Sequence, residues 1–566
     1  MKKLLILFVL LLSSIGMSAV EFEVDGIKYN VLTTSPDYTV AVTGYNADYE
    51  GDLVLNGTVD YDNHTYKVVG IRYSSFNQCS KTITVNDLPY CTSIWSYAFC
   101  ECSSLTSIGD LSSCTSIGDY AFQYCSSLTS IGALSACTSI GYEAFYQCSS
   151  LTSIGDLSAY TSIGERAFSG CSSLTSIGDL SACTSIGNQA FYGCSRLTSI
   201  GDLSACTSIG SYAFQSCSSL TSIVDLSVCS SIGSNAFSGC AFESVTLPAT
   251  PPTATGAFVG AGTTFLVPAE TVATYRAAPY WSDIKMQVIS KDAQHTWDVT
   301  APVLTSIGAD QFENVMTLKV SGNIDSDDIM YMRNKMSNLH HLDLTDATIV
   351  ASDKEYYSGC RTSDNSVSGF FDVIRLRTVK LPTSAKEIEG GAFSGCTYLS
   401  DVTIPEGIER IADYKNINST SYFAFGSCRA LKAIELPEGM TSIGSSAFSG
   451  SGLQEVAFPS TLTTIGERAF YGCPLVSVSL PEQLVTIGNE AFRYNSSLKE
   501  LRIPSSLESI GAEAFSNCSN LKDIYTYTVQ PIKINSNTFS TYAAATLHLP
   551  EQGFNDYYSS PTWGQF

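Results

Sequence analysis

Phenylalanine and cysteine recur at one fixed step through the first half of this 566-residue chain. Phe76, Phe99, Phe122, Phe145, Phe168, Phe191, Phe214 and Phe237 lie 23 residues apart, and Cys79, Cys102, Cys125, Cys148, Cys171, Cys194, Cys217 and Cys240 keep the same step. A second cysteine column holds Cys91, Cys114, Cys137, Cys183, Cys206 and Cys229, with Tyr160 in its one vacant place. A 23-residue unit is too short to bury a core of its own, so its apolar positions must be covered by the copies on either side. In the unit from Leu105 to Phe122, Leu105 and Ile108 fit one short strand and Ile117 a second, while Ala121-Phe122 fits a tight turn or single helical turn that plugs the interior. The chain is therefore predicted to be a repeat solenoid, mainly β with short helical or 3-10 turns, whose rungs stack at about 4.8 Å.

A second array follows over 339–525, marked by strands such as Leu431-x-x-Ile434-x-Leu436-Pro437 and by the plugs Phe393, Phe425, Phe448, Phe470, Phe492 and Phe515. Proline after each strand ends the pairing there. Pro268, Tyr275, Pro279 and Trp281 are spaced like Pro550, Tyr557, Pro561 and Trp563, which marks two equivalent C-terminal caps; an uncapped solenoid would expose an apolar end and open edges. The second cap is expected to be one strand shorter, because little chain follows Trp563. The expected organisation is a signal peptide at 1–19, a β N-cap at 20–66, a first solenoid at 67–248, and a cap and linker at 249–294. A second N-cap region at 295–338, with a short helix N-capped by Ser326, precedes the second array, and a C-terminal cap occupies 526–566.

Lys2-Lys3, the apolar run Leu4 to Leu12 and the small residues ending at Ala19 read as a secretory signal. Its removal would leave 28 positive charges against 53 negative, a balance that disfavours nucleic acid and anionic membrane surfaces. No later run is long and apolar enough to span a bilayer, so no membrane insertion is expected after cleavage, and the chain is expected to be a monomer.

The unit I-G-x-x-A-F-x-x-C-S-x-L-x-x-I, together with Val24-Asp25-Gly26 after the signal, resembles that of the BspA-type leucine-rich-repeat surface proteins typical of Bacteroidetes. The resemblance implies two tandem arrays of this type with β-rich caps, in an exported, non-catalytic binding protein of the adhesion kind. It carries no universal ligand and no transferable site residues. The first array departs from the pattern: most of its strands lack the trailing proline, and Ile108-Gly109-Asp110-Leu111 carries one extra residue.

The cysteine columns allow disulfides, metal ligands or packed thiols. Stacked rungs bring Cα atoms within disulfide reach, but identical rotamers in parallel rungs point side by side, which favours buried reduced thiols. Asp87, Asp110, Asp156, Asp179, Asp202 and Asp225 form a further column, interrupted by Ala133. They suit either a calcium row or, as the favoured reading, carboxylates that accept local turn N–H groups.

The columns flanking Ala-Phe vary while the frame does not. Tyr97, Tyr120, Glu143, Arg166, Gln189, Tyr212 and Asn235 precede it, and Cys100, Gln123, Tyr146, Ser169, Tyr192, Gln215 and Ser238 follow it. Their mixed polarity predicts a solvent-facing surface. Tyr97, Tyr120, Tyr146, Tyr192 and Tyr212 are candidate ligand contacts, since a tyrosine ring supplies area at low entropy cost and its hydroxyl a polar handle. A nine-residue insertion between Phe393 and Phe425, Tyr414 to Tyr422, adds Tyr414, Asn416 and Tyr422 as candidates.

No catalytic, cofactor or metal site is expected. The five histidines lie outside the regular coils and in no catalytic motif. The expected partner is an extracellular protein or polysaccharide, with glycan capture for nutrient uptake and a structural surface spacer as the alternatives.

Overall fold

The computed structural model describes residues 20–566 except 156, 223–224, 255, 259–262, 371, 374, 418–419, 541 and 543. The expected signal peptide, Asp156 of the aspartate column, and Asn418 and Ser419 of the insertion lie outside the described residues. The chain divides into two compact units, Met1–Lys291 and Asp292–Phe566.

The first unit opens with an antiparallel hairpin, Glu21–Val24 against Ile27–Thr33. Asp25 and Gly26 at its tip both have positive φ (48° and 76°), the turn that Asp-Gly favours because it matches the twist of the strands. Thr39–Tyr45 pairs antiparallel with Ile27–Thr33 and parallel with His64–Ile71. Gly70-Ile71 then pairs in parallel with Ser93-Ile94, and the first rung is laid. From there the Ser-Ile pairs run in register to the far end: Ser116-Ile117 on Ser93-Ile94, Ser139-Ile140 on Ser116-Ile117, and so on to Thr253-Ala254. A second ladder passes through Leu53–Leu55, Ile83–Val85, Ser107-Ile108 and Ser130-Ile131. It continues as single bridges at Ser153, Ser176 and Ser199. In the second unit the corresponding strands are longer, as at Thr378–Lys380, Asp401–Thr403 and Glu500–Ile503.

Each coil is closed by hydrogen-bonded turns, and among the described residues helices occur only outside the coils. The plugging phenylalanines stack ring on ring. Phe76 through Phe237 have centroids 5.0–5.3 Å apart, and Phe258 extends the column at 5.0 Å. The second unit repeats this from Phe370 through Phe515 to Phe539. Offset-stacked aromatic pairs contribute roughly 0.5–1.5 kcal/mol each beyond burial, so the column is a principal stabiliser.

All twenty cysteines are free and buried. The column three residues after each Phe serves the backbone: Cys102 Sγ donates to Phe76 O at 2.8 Å, Cys125 to Phe99 O at 3.0 Å and Cys148 to Phe122 O at 3.0 Å. Asn495 occupies the same place in the second unit, and its Nδ2 donates to Phe470 O at 2.8 Å. The position therefore calls for a compact donor that satisfies a buried carbonyl. The other column donates to the carbonyl two residues on, as from Cys114 to Ser116 at 3.3 Å. Burial pushes the Cys171 and Cys217 thiols up to about 12. Threonine hydroxyls add an outer ladder, with Thr115 Oγ1 donating to Thr92 O at 3.0 Å and Thr138 to Thr115 O at 3.2 Å.

The aspartate column bonds locally. Asp110 accepts from Ser112 N and Oγ at 3.0 and 2.8 Å, Asp179 and Asp202 accept from Ser181 and Ser204 in the same way, and Asp225 accepts from Ser227 N; Asp87 instead accepts across the rungs from Asp110 N at 2.8 Å. Both caps cover their last coil with buried aromatics. Trp281 Nε1 donates to Pro252 O at 3.2 Å and Trp563 Nε1 to Ile532 O at 2.9 Å. In the first cap Val288–Ser290 pairs with Phe265–Val267; in the second, among the described residues, no strand follows Thr546–His548.

Two features at the start of the second unit differ from the sequence reading. Thr296–Thr300 and Thr317–Ile324 run parallel and in register with His341–Asp343, so the sheet begins ahead of Leu339. The helix Ser326–Asn334 is capped by Asp325, whose carboxylate accepts from Asp327 N while Asp328 reaches back to Asp325 N. Ser326 is instead buried and bonds to Thr362.

Candidate binding site

In every regular coil of the first unit the residue two before the Phe is left-handed: Tyr97 (φ 60°), Tyr120 (58°), Glu143 (51°), Arg166 (55°), Gln189 (55°), Tyr212 (59°) and Asn235 (54°). The backbone there is held across rungs, with Tyr97 N donating to Asp119 O at 3.0 Å and Tyr120 N to Tyr142 O at 2.8 Å. Glycine takes this conformation freely, whereas another L-residue gives up roughly 1–2 kcal/mol. Tyrosine is therefore present despite the backbone.

The rings form a continuous ribbon. Tyr73 meets Tyr97 edge to face at 5.5 Å, Tyr97 stacks on Tyr120 at 4.5 Å, and Tyr120 meets Tyr142 at 5.2 Å. Beyond Tyr142 the ribbon becomes polar: Arg166 pairs with Glu143 at 3.0 Å and reaches Gln189 Oε1 at 3.2 Å, and Gln123 Nε2 donates to Glu143 at 2.6 Å. The hydrogen bond that the Tyr142 hydroxyl donates to the Glu143 carboxylate raises the Tyr142 pKa above its ordinary value. Tyr146 belongs to a parallel row with Tyr124, edge to face at 5.5 Å. Tyr192 and Tyr212 are exposed but, among the described residues, have no aromatic neighbour in stacking range. Beside the ribbon, the exposed Trp95 and Tyr73 border a groove of about 400 Å³. The column of Trp95 begins with Arg72 and Trp95 and continues as Gly118 and Gly141. A Cβ on Gly118 would lie 2.5 Å from Ser96 N, so glycine is needed where the preceding coil packs that closely.

The expectation of a solvent-facing surface fails at three positions. Cys100 and Ser169 are 3% exposed and Glu143 is 7% exposed. The first two are small enough to be covered by the adjacent turn, and Glu143 is held by Gln123 and Arg166. Sequence reasoning missed Tyr73, Trp95, Tyr124 and Tyr142. Tyr73, Tyr97 and Tyr120 stand one coil apart in adjoining columns, a spacing that could have revealed the ribbon.

In the second unit the left-handed column holds Gly391, Ser446, Arg468, Glu490 and Glu513. Arg468 pairs with Glu490 at 2.5 Å, and Arg493 pairs with Glu490 at 2.9 Å and Glu513 at 2.7 Å. The Arg468 hydrogen bond, more than any other contact, holds the Glu490 carboxyl below the usual carboxylate range. The insertion forms an antiparallel pair of strands, Lys415–Ile417 and Thr420–Tyr422. Tyr414 stands exposed at its base, Asn416 accepts from Ser421 Oγ at 2.7 Å, and Tyr422 is half-buried against Gly391. Only Tyr414 of these three lines the cleft beneath the hairpin, which holds about 490 Å³.

The stacked parallel rungs and the phenylalanine column define a leucine-rich-repeat solenoid. The chain belongs to the BspA type leucine rich repeat region family, whose model matches residues 63–156, 138–258, 366–422 and 418–545. It is similar to a leucine rich cell surface protein from Faecalibacterium prausnitzii A2-165, at 19% identity over 90% of this chain and 95% of that one, with a TM-score of 0.31. It is also similar to a leucine-rich repeat protein from Bacteroides ovatus ATCC 8483 (19% identity, 94% and 100% covered, TM-score 0.22). A third similar structure is the pneumococcal vaccine antigen PcpA (14% identity, 95% of each chain covered, TM-score 0.25). No curated protein matches the chain. Among the described residues no helix is long and apolar enough to cross a membrane.

Proposed function

We propose that this is an exported, non-catalytic binding protein of the adhesin type, and that the first unit carries the contact surface. The tyrosine ribbon from Tyr73 through Tyr97 and Tyr120 to Tyr142 carries this reading. Four rings in contact at 4.5–5.5 Å form a rigid amphipathic strip, and two of them sit where the backbone favours glycine. Rigid aromatic rings give up little entropy on binding and tend to dominate protein interfaces. The polar continuation through Arg166 and Gln189 supplies hydrogen bonds along the same line. The N-terminal signal pattern and the family support export and surface display.

An extracellular matrix protein is the ligand that such a strip suits. Surface plasmon resonance of the full chain against a panel of matrix proteins tests it. Tyr97→Ser with Tyr120→Ser is expected to weaken the tightest interaction at least 30-fold, the size of a hot-spot loss. Unchanged binding by that double variant would remove the ribbon from the interface.

A further inference from the structure

We propose that the cleft beneath the inserted hairpin of the second unit binds the end of a neutral glycan, with one pyranose unit seated among Tyr414, Phe423 and Tyr471. This site is separate from the tyrosine ribbon and does not depend on it. The cleft exists because of the insertion: it opens between the hairpin and the turns of the next two coils, and it is lined by those three aromatic residues, four serines, Glu467 and Arg468. The base of the hairpin is tied to the next coil. Asp413 Oδ1 accepts from Ser445 N at 2.6 Å, and Tyr414 N donates to Ser445 O at 3.2 Å. Tyr414 meets Phe423 edge to face at 6.2 Å, which sets the aromatic wall.

The lining selects the ligand class. It has no aliphatic side chain, so an apolar peptide anchor finds no well to fill. A pyranose presents a C–H face to aromatic rings, whose faces are electron-rich, and a rim of hydroxyls to serine, carboxylate and guanidinium groups. A volume of about 490 Å³ lies in the range of small-ligand pockets and suits a chain end. Arg468 is paired with Glu490 and lies in the field of Glu467, so the cleft disfavours an anionic sugar.

Saturation-transfer NMR and calorimetry on the full chain test this, using methyl glycosides and trisaccharides of glucose, galactose, mannose and N-acetylglucosamine. Sialyllactose and a proline-rich peptide serve as comparators. At least one neutral sugar is expected to bind saturably, and Tyr414→Ala and Tyr471→Ala should each weaken it tenfold or more. Tyr120→Ser is expected to leave sugar binding unchanged, which separates this site from the ribbon. Tyr414 is exposed on the hairpin, so its variant should keep the parent melting temperature; Ser449→Tyr, which fills the cleft, is a second probe. Failure of every neutral sugar to bind, binding indifferent to all three cleft variants, or preferred binding of sialyllactose or the peptide would overturn the proposal.

Discussion

The same backbone position carries opposite chemistry in the two units. Two residues before the plugging phenylalanine the chain is left-handed throughout the first array and at every plug of the second from Phe393 to Phe515 except Phe425; the first sets Tyr97, Tyr120 and Tyr212 there among Glu143, Arg166, Gln189 and Asn235, and the second Arg468, Glu490 and Glu513. Behind both columns lies one frame of stacked phenylalanines and carbonyl-satisfying donors. The frame sets where the variable side chains stand, and the side chains set what the surface can do. A strip of stacked rings suits a desolvated interface, whereas a ladder of ion pairs is already internally satisfied and has less to offer a partner.

If the frame is common, damage to it should be symmetrical. Phe168→Ala and Phe448→Ala are each expected to cost about 3–5 kcal/mol in denaturant unfolding, because both remove a fully buried ring with two stacked neighbours. A large loss in one unit beside a small loss in the other would break the comparison at its root.

The thiol column ranks next. Cys148→Ala should cost about 1–2 kcal/mol, from a lost hydrogen bond to Phe122 O and a small cavity. The native protein should react slowly with thiol reagents, since burial holds Cys171 and Cys217 near 12, while the unfolded, unreduced chain should titrate as twenty free thiols. Almost no free thiol after unfolding would show bridged columns and contradict the packing described.

Charge distinguishes the second unit more weakly. Glu490→Gln should destabilise it by about 1 kcal/mol. The folded-state pKa of Glu490 is depressed, so its contribution is full above the unfolded carboxylate value and fades as pH falls through the folded one. Parent and variant should therefore differ at pH 7, and their unfolding curves should draw together as pH falls from about 4 through the depressed folded-state value. A gap that persists in acid would mean that Glu490 acts through packing. The smallest effect on stability is expected at the ribbon, where Tyr120→Ser should shift unfolding by about 0.5 kcal/mol or less.

Much of this architecture was legible in the sequence because a repeat states its own periodicity. The phenylalanine plugs, both caps and the placement of the insertion follow from spacing alone. What escaped depends on geometry between coils. Nothing in a column of cysteines announces that each thiol serves the carbonyl of a phenylalanine in the coil before; Asn495, standing among them, was the available hint. Phe258, Phe370 and Phe539 extend the stacks but sit in coils whose other signals are degraded. Glu143 reads as surface by type and is buried by its partners, a pairing visible as opposite charge one coil away at Arg166. The cleft under the hairpin could not be read, because its walls come from three separate coils.

One frame thus displays an aromatic ribbon for a protein partner in the first unit and a ladder of ion pairs at the equivalent position in the second. The most direct measurement compares three proteins by surface plasmon resonance on the same matrix-protein panel: the parent, Tyr97→Ser with Tyr120→Ser, and Arg493→Gln. The tyrosine variant should lose the parent's tightest interaction at least 30-fold while Arg493→Gln keeps it. Retention by the tyrosine variant, or loss by Arg493→Gln with its fold intact, would contradict the claim.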